Sequence, residues 1–127
     1  MIKVAICDDD IQFIYKLEQS IFRFAEMKRI KVDVDGYTSG AEFIQKLQQS
    51  ERYDLLFLDI ELGDSSGIIV GNWIRSQIQY ESMQIVFVSA KEMYAMQLFD
   101  LRPMNFLVKP IQQERVRSEE RRVGKEC

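Results

Sequence analysis

The sequence predicts an α/β domain in which a parallel β-sheet carries helices on both faces. Short runs rich in β-branched and aromatic residues alternate five times with longer stretches of helical periodicity, which is typical of repeated βα units. The runs IKVAIC, YDLLFL and MQIVFV are the most apolar, as central strands buried on both faces should be. At 127 residues the chain can form one ordinary domain and is too short for two.

Each predicted element follows from a local pattern. The predicted strands are residues 2–7, 31–36, 53–58, 84–88 and 105–108. Helix one follows Asp10, which is its natural cap, and its apolar face comprises Ile14, Leu17, Ile21, Phe24 and Ala25. Helix two begins at a capping box from Ser39 to Glu42 and buries Phe43, Ile44 and Leu47.

The later helices are predicted from weaker patterns. Helix three is expected from about Gly67 to Ile78, around Trp73. Helix four, KEMYAMQLFDL, is apolar almost all round, so it could offer a second face to a partner. A fifth helix should begin after Ile111.

Composition excludes several functional classes. The net charge of −3 argues against a nucleic-acid-binding surface, and no apolar stretch approaches the roughly 20 residues of a membrane span. We therefore expect a cytoplasmic protein, and the two cysteines do not indicate a disulfide framework. Because the chain has no histidine, it cannot contain a His-ligated metal, a Ser-His-Asp triad or a phosphohistidine.

Polar residues stand where four of the apolar runs end. Asp8 and Asp9 follow the first strand, and Asp59, Ser89 and Lys109 end the third, fourth and fifth. The carboxyl ends of parallel strands share one edge of a sheet, so we expect these side chains to form one acidic pocket.

The aspartates in this set predict a metal and phosphoryl site. Alone, Asp8 or Asp9 could be a helix cap or a turn residue, but capping needs only one carboxylate. Repulsion among them and Asp59 would raise their pKa values unless a divalent cation lies between them, and Mg²⁺ prefers oxygen ligands. Asp59 could end its strand as a plain turn residue or attack a phosphoryl group. Glu61 could add a backbone carbonyl to the metal while its side chain faces solvent.

Ser89 and Lys109 each allow two interpretations. Ser89 begins the capping box SAKE, and its hydroxyl could also donate to a phosphoryl oxygen. Lys109 could be a surface lysine, or its ammonium could pair with Asp59 and stabilise charge on the transferred group.

Taken in order, CDDD, LDIEL, VSA and NFLVKP resemble the receiver domain of two-component response regulators, over essentially residues 2–112. The resemblance implies a flavodoxin-like fold with strand order 2-1-3-4-5. It also implies that Asp59 is the phosphoacceptor, that Asp8 and Asp9 hold Mg²⁺, that Ser89 is the switch hydroxyl and that Lys109 contacts the phosphate. Phe106 falls at the aromatic switch position of the family, although it could equally be a plain core residue.

The segment YAMQLFDLRPMNFLVKPI is similar to receivers of LytTR-type regulators, in which a DNA-binding output domain follows the receiver. The resemblance implies phosphorylation by a sensor histidine kinase and dimerisation through helix four, strand five and helix five. In such regulators DNA is contacted by the output domain, so we expect no direct nucleic-acid contact by this chain. The lack of a long apolar stretch adds the expectation of no membrane contact. Catalysis would be limited to self-directed phosphoryl transfer and autodephosphorylation, so the chain is not expected to be an enzyme.

Two other functional classes stay open. A HAD-type phosphatase also uses a strand-end aspartate, a serine, a lysine and Mg²⁺, but it needs a DxD motif at its first strand and its acidic pair late in the chain. A stand-alone receiver or a pseudo-receiver would bind partners, the latter without phosphorylation; the filled functional positions argue against a pseudo-receiver.

The last eleven residues, RSEERRVGKEC, show no apolar face and resemble a translated sequencing-adapter read-through. We therefore expect the receiver domain to occupy residues 1–116 with a truncated fifth helix, and residues 117–127 to be a non-native tail.

Overall fold

A computed structural model of the protein describes residues 1–90 and 102–109. Strands and helices alternate along this part of the chain, as the sequence predicts. The elements are β1 (Ile2–Cys7), α1 (Ile11–Lys28), β2 (Val32–Tyr37), α2 (Gly40–Gln48), β3 (Leu55–Asp59), α3 (Gly67–Arg75), a 3₁₀ turn (Ile78–Tyr80), β4 (Gln84–Ser89) and β5 (Asn105–Val108).

The five strands form one parallel sheet in the order β2-β1-β3-β4-β5, which confirms the predicted architecture. The alternation of side chains along β3 builds a core on each face of the sheet. Leu55 and Phe57 pack with the buried face of α1, whereas Leu56 and Leu58 pack with α2 and α3. Both faces of the central strands are therefore covered, and the strand ends are the natural place for polar groups.

Helices α1 and α2 begin where the sequence predicts. The Asp10 side chain accepts hydrogen bonds from the backbone of Gln12 and Phe13, and the five residues predicted to face the core are buried. The Ser39 hydroxyl accepts from the Glu42 N–H at the start of α2. In α2, Phe43 and Leu47 are buried, whereas Ile44 is only partly buried.

Helix α3 is shorter than predicted. It ends at Arg75 rather than near Ile78, because Gln77 adopts an extended backbone conformation and interrupts the helix. The guanidinium of Arg75 then donates to the Met83 carbonyl oxygen at 2.9 Å, which holds the returning chain against the end of the helix.

Several predictions fall outside the described residues: helix four at residues 91–101, the fifth helix after Ile111, and the tail at 117–127. Within the described ranges, none of the helices has the length and apolar character needed to cross a membrane.

Candidate functional site

Four strands deliver polar residues to one edge of the sheet. Asp8 and Lys109 directly follow β1 and β5, and Asp59 and Ser89 are the last residues of β3 and β4. The strand register places Asp59 beside Val88, one residue before Ser89, and the Lys109 N–H donates to the Ser89 carbonyl oxygen at 2.9 Å. Residues far apart in sequence thus line a single pocket.

Three carboxylates cluster in this pocket. Asp8, Asp9 and Asp59 each place a carboxylate oxygen within 4.8 Å of the others. Asp8 and Asp59 are only 1% and 4% exposed, whereas Asp9 is exposed. Backbone N–H groups hold the two buried carboxylates: that of Asp10 donates to Asp8 Oδ1 at 2.8 Å, and that of Glu61 donates to Asp59 Oδ1 at 3.3 Å.

The Lys109 ammonium lies close to both buried carboxylates. Its Nζ lies 2.8 Å from Asp8 Oδ2 and 3.9 Å from Asp59 Oδ2. The sequence suggested Asp59 as the partner, but the ammonium lies closer to Asp8. One ammonium supplies one positive charge to two buried carboxylates and lies nearer to Asp8, so the charge of Asp59 stays incompletely compensated.

The pKa values of the charged side chains in the pocket reflect this incomplete charge compensation. Burial, and next the charge of Asp8, raise the pKa of Asp59 to about 7. Burial also raises the pKa of Asp8, although the contact with Lys109 opposes it. Burial disfavours the charged form of Lys109, but the carboxylates of Asp8 and Asp59 outweigh this effect and raise the Lys109 pKa. The sequence predicts that repulsion among the carboxylates raises their pKa values. In the structure, burial contributes more than repulsion to the raised pKa of Asp59.

The donor set fits a hard divalent cation. Asp8 Oδ2 is buried and, among the described residues, the single ammonium near it, that of Lys109 at 2.8 Å, is shared with Asp59. Carboxylate oxygens are preferred Mg²⁺ ligands, and a cation at this cluster would offset the repulsion that raises the Asp59 pKa. The Glu61 side chain is exposed, as expected, and Glu61 lies in the loop directly after Asp59.

Ser89 and Phe106 lie on the neighbouring strands β4 and β5, two register positions apart. Ser89 is fully buried at the end of β4. Phe106 pairs in register with Phe87 and is a partly buried residue packed against the core on the α2 and α3 face. This placement suits both interpretations of Phe106, as a core residue and as an aromatic side chain that repacks.

Asp64, in the loop after Asp59, makes a structural contact that the sequence did not reveal. Its carboxylate accepts from the N–H groups of Gly40 and Ala41, both at 3.1 Å, so the loop after Asp59 caps the first turn of α2. These hydrogen bonds lower the pKa of Asp64. The first N–H groups of a helix have no acceptor within the helix, but nothing in the sequence indicates which distant loop supplies one.

We expect Asp64→Ala to lower the free energy of unfolding by about 1 kcal/mol, because two N–H groups lose their acceptor. Urea denaturation monitored by circular dichroism measures this. Asp33→Asn, on the exposed side of β2, is the control and should behave as the parent protein. Equal midpoints for Asp64→Ala and the parent would show that the capping contact is energetically silent.

The sequence matches a known protein family. The profile described as "Response regulator receiver domain" matches residues 4–120. Sensory transduction protein LytT of Bacillus cereus is 29% identical over 117 residues, covering 91% of this chain and 44% of LytT. Sensory transduction protein LytR of Staphylococcus epidermidis is 30% identical over 120 residues, covering 90% of this chain and 42% of LytR. The chain spans less than half the length of these relatives.

Solved structures share the fold. The response regulatory domain of protein mrkE from Klebsiella pneumoniae superposes with a TM-score of 0.83 at 22% identity, covering 98% of this chain and 97% of that one. Response regulator TrrA from Thermotoga maritima, solved in complex with Mg²⁺-BeF, superposes with a TM-score of 0.78 at 23% identity, covering 97% and 99%. From its profile match and its fold, the chain belongs to the response regulator receiver domain family.

Proposed function

We propose that Asp59 accepts a phosphoryl group from a sensor histidine kinase and that Mg²⁺ bound by Asp8, Asp9 and Asp59 supports the transfer. The observation that carries this proposal is the placement of Asp59: a buried carboxylate at a strand end, 3.9 Å from an ammonium and clustered with two further aspartates. The backbone carbonyl of Glu61 is the further ligand that we propose.

The chemistry is a phosphoryl exchange between two nucleophiles. A carboxylate oxygen of Asp59 forms a bond to phosphorus as the bond from phosphorus to the donor nitrogen breaks, which leaves an acyl phosphate and a free imidazole on the kinase. A bound Mg²⁺ would supply positive charge to the phosphoryl oxygens. The pKa of Asp59, about 7 without the ion, means that the attacking anion is only partly populated at neutral pH until a cation binds.

Lys109 has two roles in this mechanism. Before transfer its ammonium offsets the charge of Asp8, at 2.8 Å, and helps to keep the buried pocket folded. During transfer the same ammonium can turn toward the phosphoryl oxygens on Asp59, because its present distance to that carboxylate is only 3.9 Å. Positive charge already in place at the point where negative charge develops lowers the barrier.

Signal output would begin at β4 and β5. We propose that the Ser89 hydroxyl binds a phosphoryl oxygen and that Phe106 repacks with it. This change would bias the face that β5 would form with the helices four and five predicted from the sequence toward a homodimer. In a full-length parent, this change would control a LytTR-type DNA-binding domain. The chain itself would contact neither DNA nor membrane, would turn over no external substrate, and would act in the cytoplasm beside the kinase.

Incubation with acetyl phosphate and Mg²⁺, followed by Phos-tag electrophoresis, tests the proposal. We expect a retarded band for the parent protein, no such band for Asp59→Asn, and loss of the band when EDTA removes the metal. Asp33→Asn is the matched control for an aspartate-to-asparagine change and should be labelled like the parent. Labelling that persists in Asp59→Asn would exclude Asp59 as the acceptor, and no labelling of the parent would exclude the function.

A further inference from the structure

The aromatic ring of Phe13 faces the Lys109 ammonium. Nζ of Lys109 lies 4.3 Å from the ring centroid, while the same atom contacts Asp8 Oδ2 at 2.8 Å and lies 3.9 Å from Asp59 Oδ2. The ammonium is thus bounded by an aromatic face as well as by the two carboxylates. We infer that Phe13 is a positioning residue that holds Lys109 within reach of Asp59, an assignment that rests on the phosphoacceptor function proposed above.

The backbone fixes where the Phe13 ring can lie. Phe13 is in the first turn of α1, and its N–H donates to the Asp10 carboxylate at 3.3 Å. The N–H of Asp10 in turn donates to Asp8 Oδ1 at 2.8 Å. The helix start that carries the ring is therefore hydrogen-bonded to the same carboxylate that pairs with Lys109, so the ring and the ammonium are both anchored at Asp8.

Lys109 needs such a support because its side chain has room to leave. A lysine ammonium is a compact, strongly hydrated charge on a flexible stem of four carbons. Its side chain is 23% exposed, and a groove of about 350 Å³ opens beside it. The described residues that line the groove are Asp10, Gln12, Phe13, Lys16, Leu17, Ser20 and Lys109.

An aromatic face suits this task better than an aliphatic side chain of similar size. The negative face of the ring attracts the cation, yet it forms no salt bridge that would compete with Asp59 or with a phosphoryl oxygen. A leucine would fill part of the space but would exert no such attraction. Without the ring, we expect the ammonium to spend more time in the groove and less time beside Asp59.

Two substitutions and one matched control separate attraction from packing. Phe13→Leu removes the aromatic face, whereas Phe13→Trp restores an aromatic face that binds cations more strongly. Phe22→Leu makes the same chemical change on the same helix, at a residue that is 39% exposed and distant in sequence from the capping turn. Circular dichroism confirms that each variant is folded before comparison.

The first measurement is the NMR chemical shift of the Lys109 ε-methylene protons in the Mg²⁺-free, unphosphorylated protein. Protons over an aromatic face are shifted upfield, so we expect this shift in the parent and in Phe13→Trp, and its loss in Phe13→Leu. Phe22→Leu should leave it unchanged. Lys109 protons with no upfield shift in the parent would overturn the inference even if Asp59 is phosphorylated.

The second measurement is the rate of phosphorylation by acetyl phosphate at saturating Mg²⁺. We expect Phe13→Leu to slow labelling by roughly threefold to tenfold, Phe13→Trp to recover most of the rate and Phe22→Leu to match the parent. An unchanged rate in Phe13→Leu, or a slowed rate that Phe13→Trp does not rescue, would overturn the positioning role. Absence of labelling in the parent would instead overturn the proposed function, and the NMR result would still decide whether the ring holds the ammonium.

Discussion

We expect Asp59→Asn to gain stability over the parent between pH 4 and pH 8 in the absence of metal. The difference in the free energy of unfolding between variant and parent should grow by on the order of 2–4 kcal/mol over this range. The pKa of Asp59 rises from its ordinary value of 3.8 to about 7 in the folded protein, because the carboxylate is buried and lies near Asp8. A raised carboxyl pKa means that the folded protein prefers the protonated form. The contribution of Asp59 to stability is therefore greatest at low pH and declines as pH rises from about 4 to 7. Asparagine at position 59 does not ionise, so the variant lacks this contribution to the decline.

Urea unfolding in EDTA at several pH values measures the difference, and comparison with the parent cancels the titration of other groups. Asp33→Asn, the same chemical change at an exposed position of β2, is the control. Adding Mg²⁺ should stabilise the parent more than Asp59→Asn, because a bound cation offsets the charge of the buried carboxylate. If the stability difference between Asp59→Asn and the parent is the same at pH 8 and at pH 4, the raised pKa of Asp59 in the folded protein is contradicted.

Gly67→Ala is expected to cost about 3 kcal/mol or more of stability, since a tightly packed site leaves no room for a methyl group. A Cβ at position 67 would lie 2.0 Å from the Asp59 carbonyl oxygen and 2.9 Å from Ile60 Cα. These are backbone atoms, so the clash cannot be relieved by rotation of a side chain. The Gly67 N–H also donates to the Ile60 carbonyl oxygen at 2.7 Å, which fixes this close approach.

The clash bears on the pocket as well as on stability, because the backbone that must move is that of Asp59 itself. We expect Gly67→Ala, where it folds, to be labelled more slowly by acetyl phosphate than the parent. Gly63→Ala is the matched control: in the same loop, the nearest atom of the described residues to its Cβ would be Asp9 Oδ2, at 3.6 Å, an ordinary contact. Thermal unfolding should separate the two variants clearly, and similar melting temperatures would show that the close approach is not rigid.

The sheet and its site edge were predictable because the local patterns agree with the final fold. Apolar runs identified the central strands β1, β3 and β4, and Asp10 was recognisable as a cap from its place before an amphipathic run. The strand order itself came from the family resemblance, since the hydrophobic pattern of a strand does not specify its neighbours.

Features that depend on three-dimensional placement were not predictable. Lys109 pairs with Asp8 across β4 and β3, which lie between β5 and β1 in the sheet, and the ring of Phe13 meets the ammonium only after α1 has packed. The capping of α2 by Asp64 joins residues more than twenty positions apart. The end of α3 at Arg75 follows from the extended backbone of Gln77, and no glycine or proline marks that position in the sequence.

The most direct test of the central claim is to locate the phosphorylated side chain. Borohydride reduces an acyl phosphate of aspartate to homoserine, so the reduced protein can be digested and sequenced by tandem mass spectrometry after labelling with acetyl phosphate and Mg²⁺. We predict homoserine at position 59, in the peptide that contains LLFLDIELG, and aspartate at positions 8 and 9. Homoserine at another aspartate, with position 59 unmodified, would contradict the assignment of Asp59 as the phosphoacceptor.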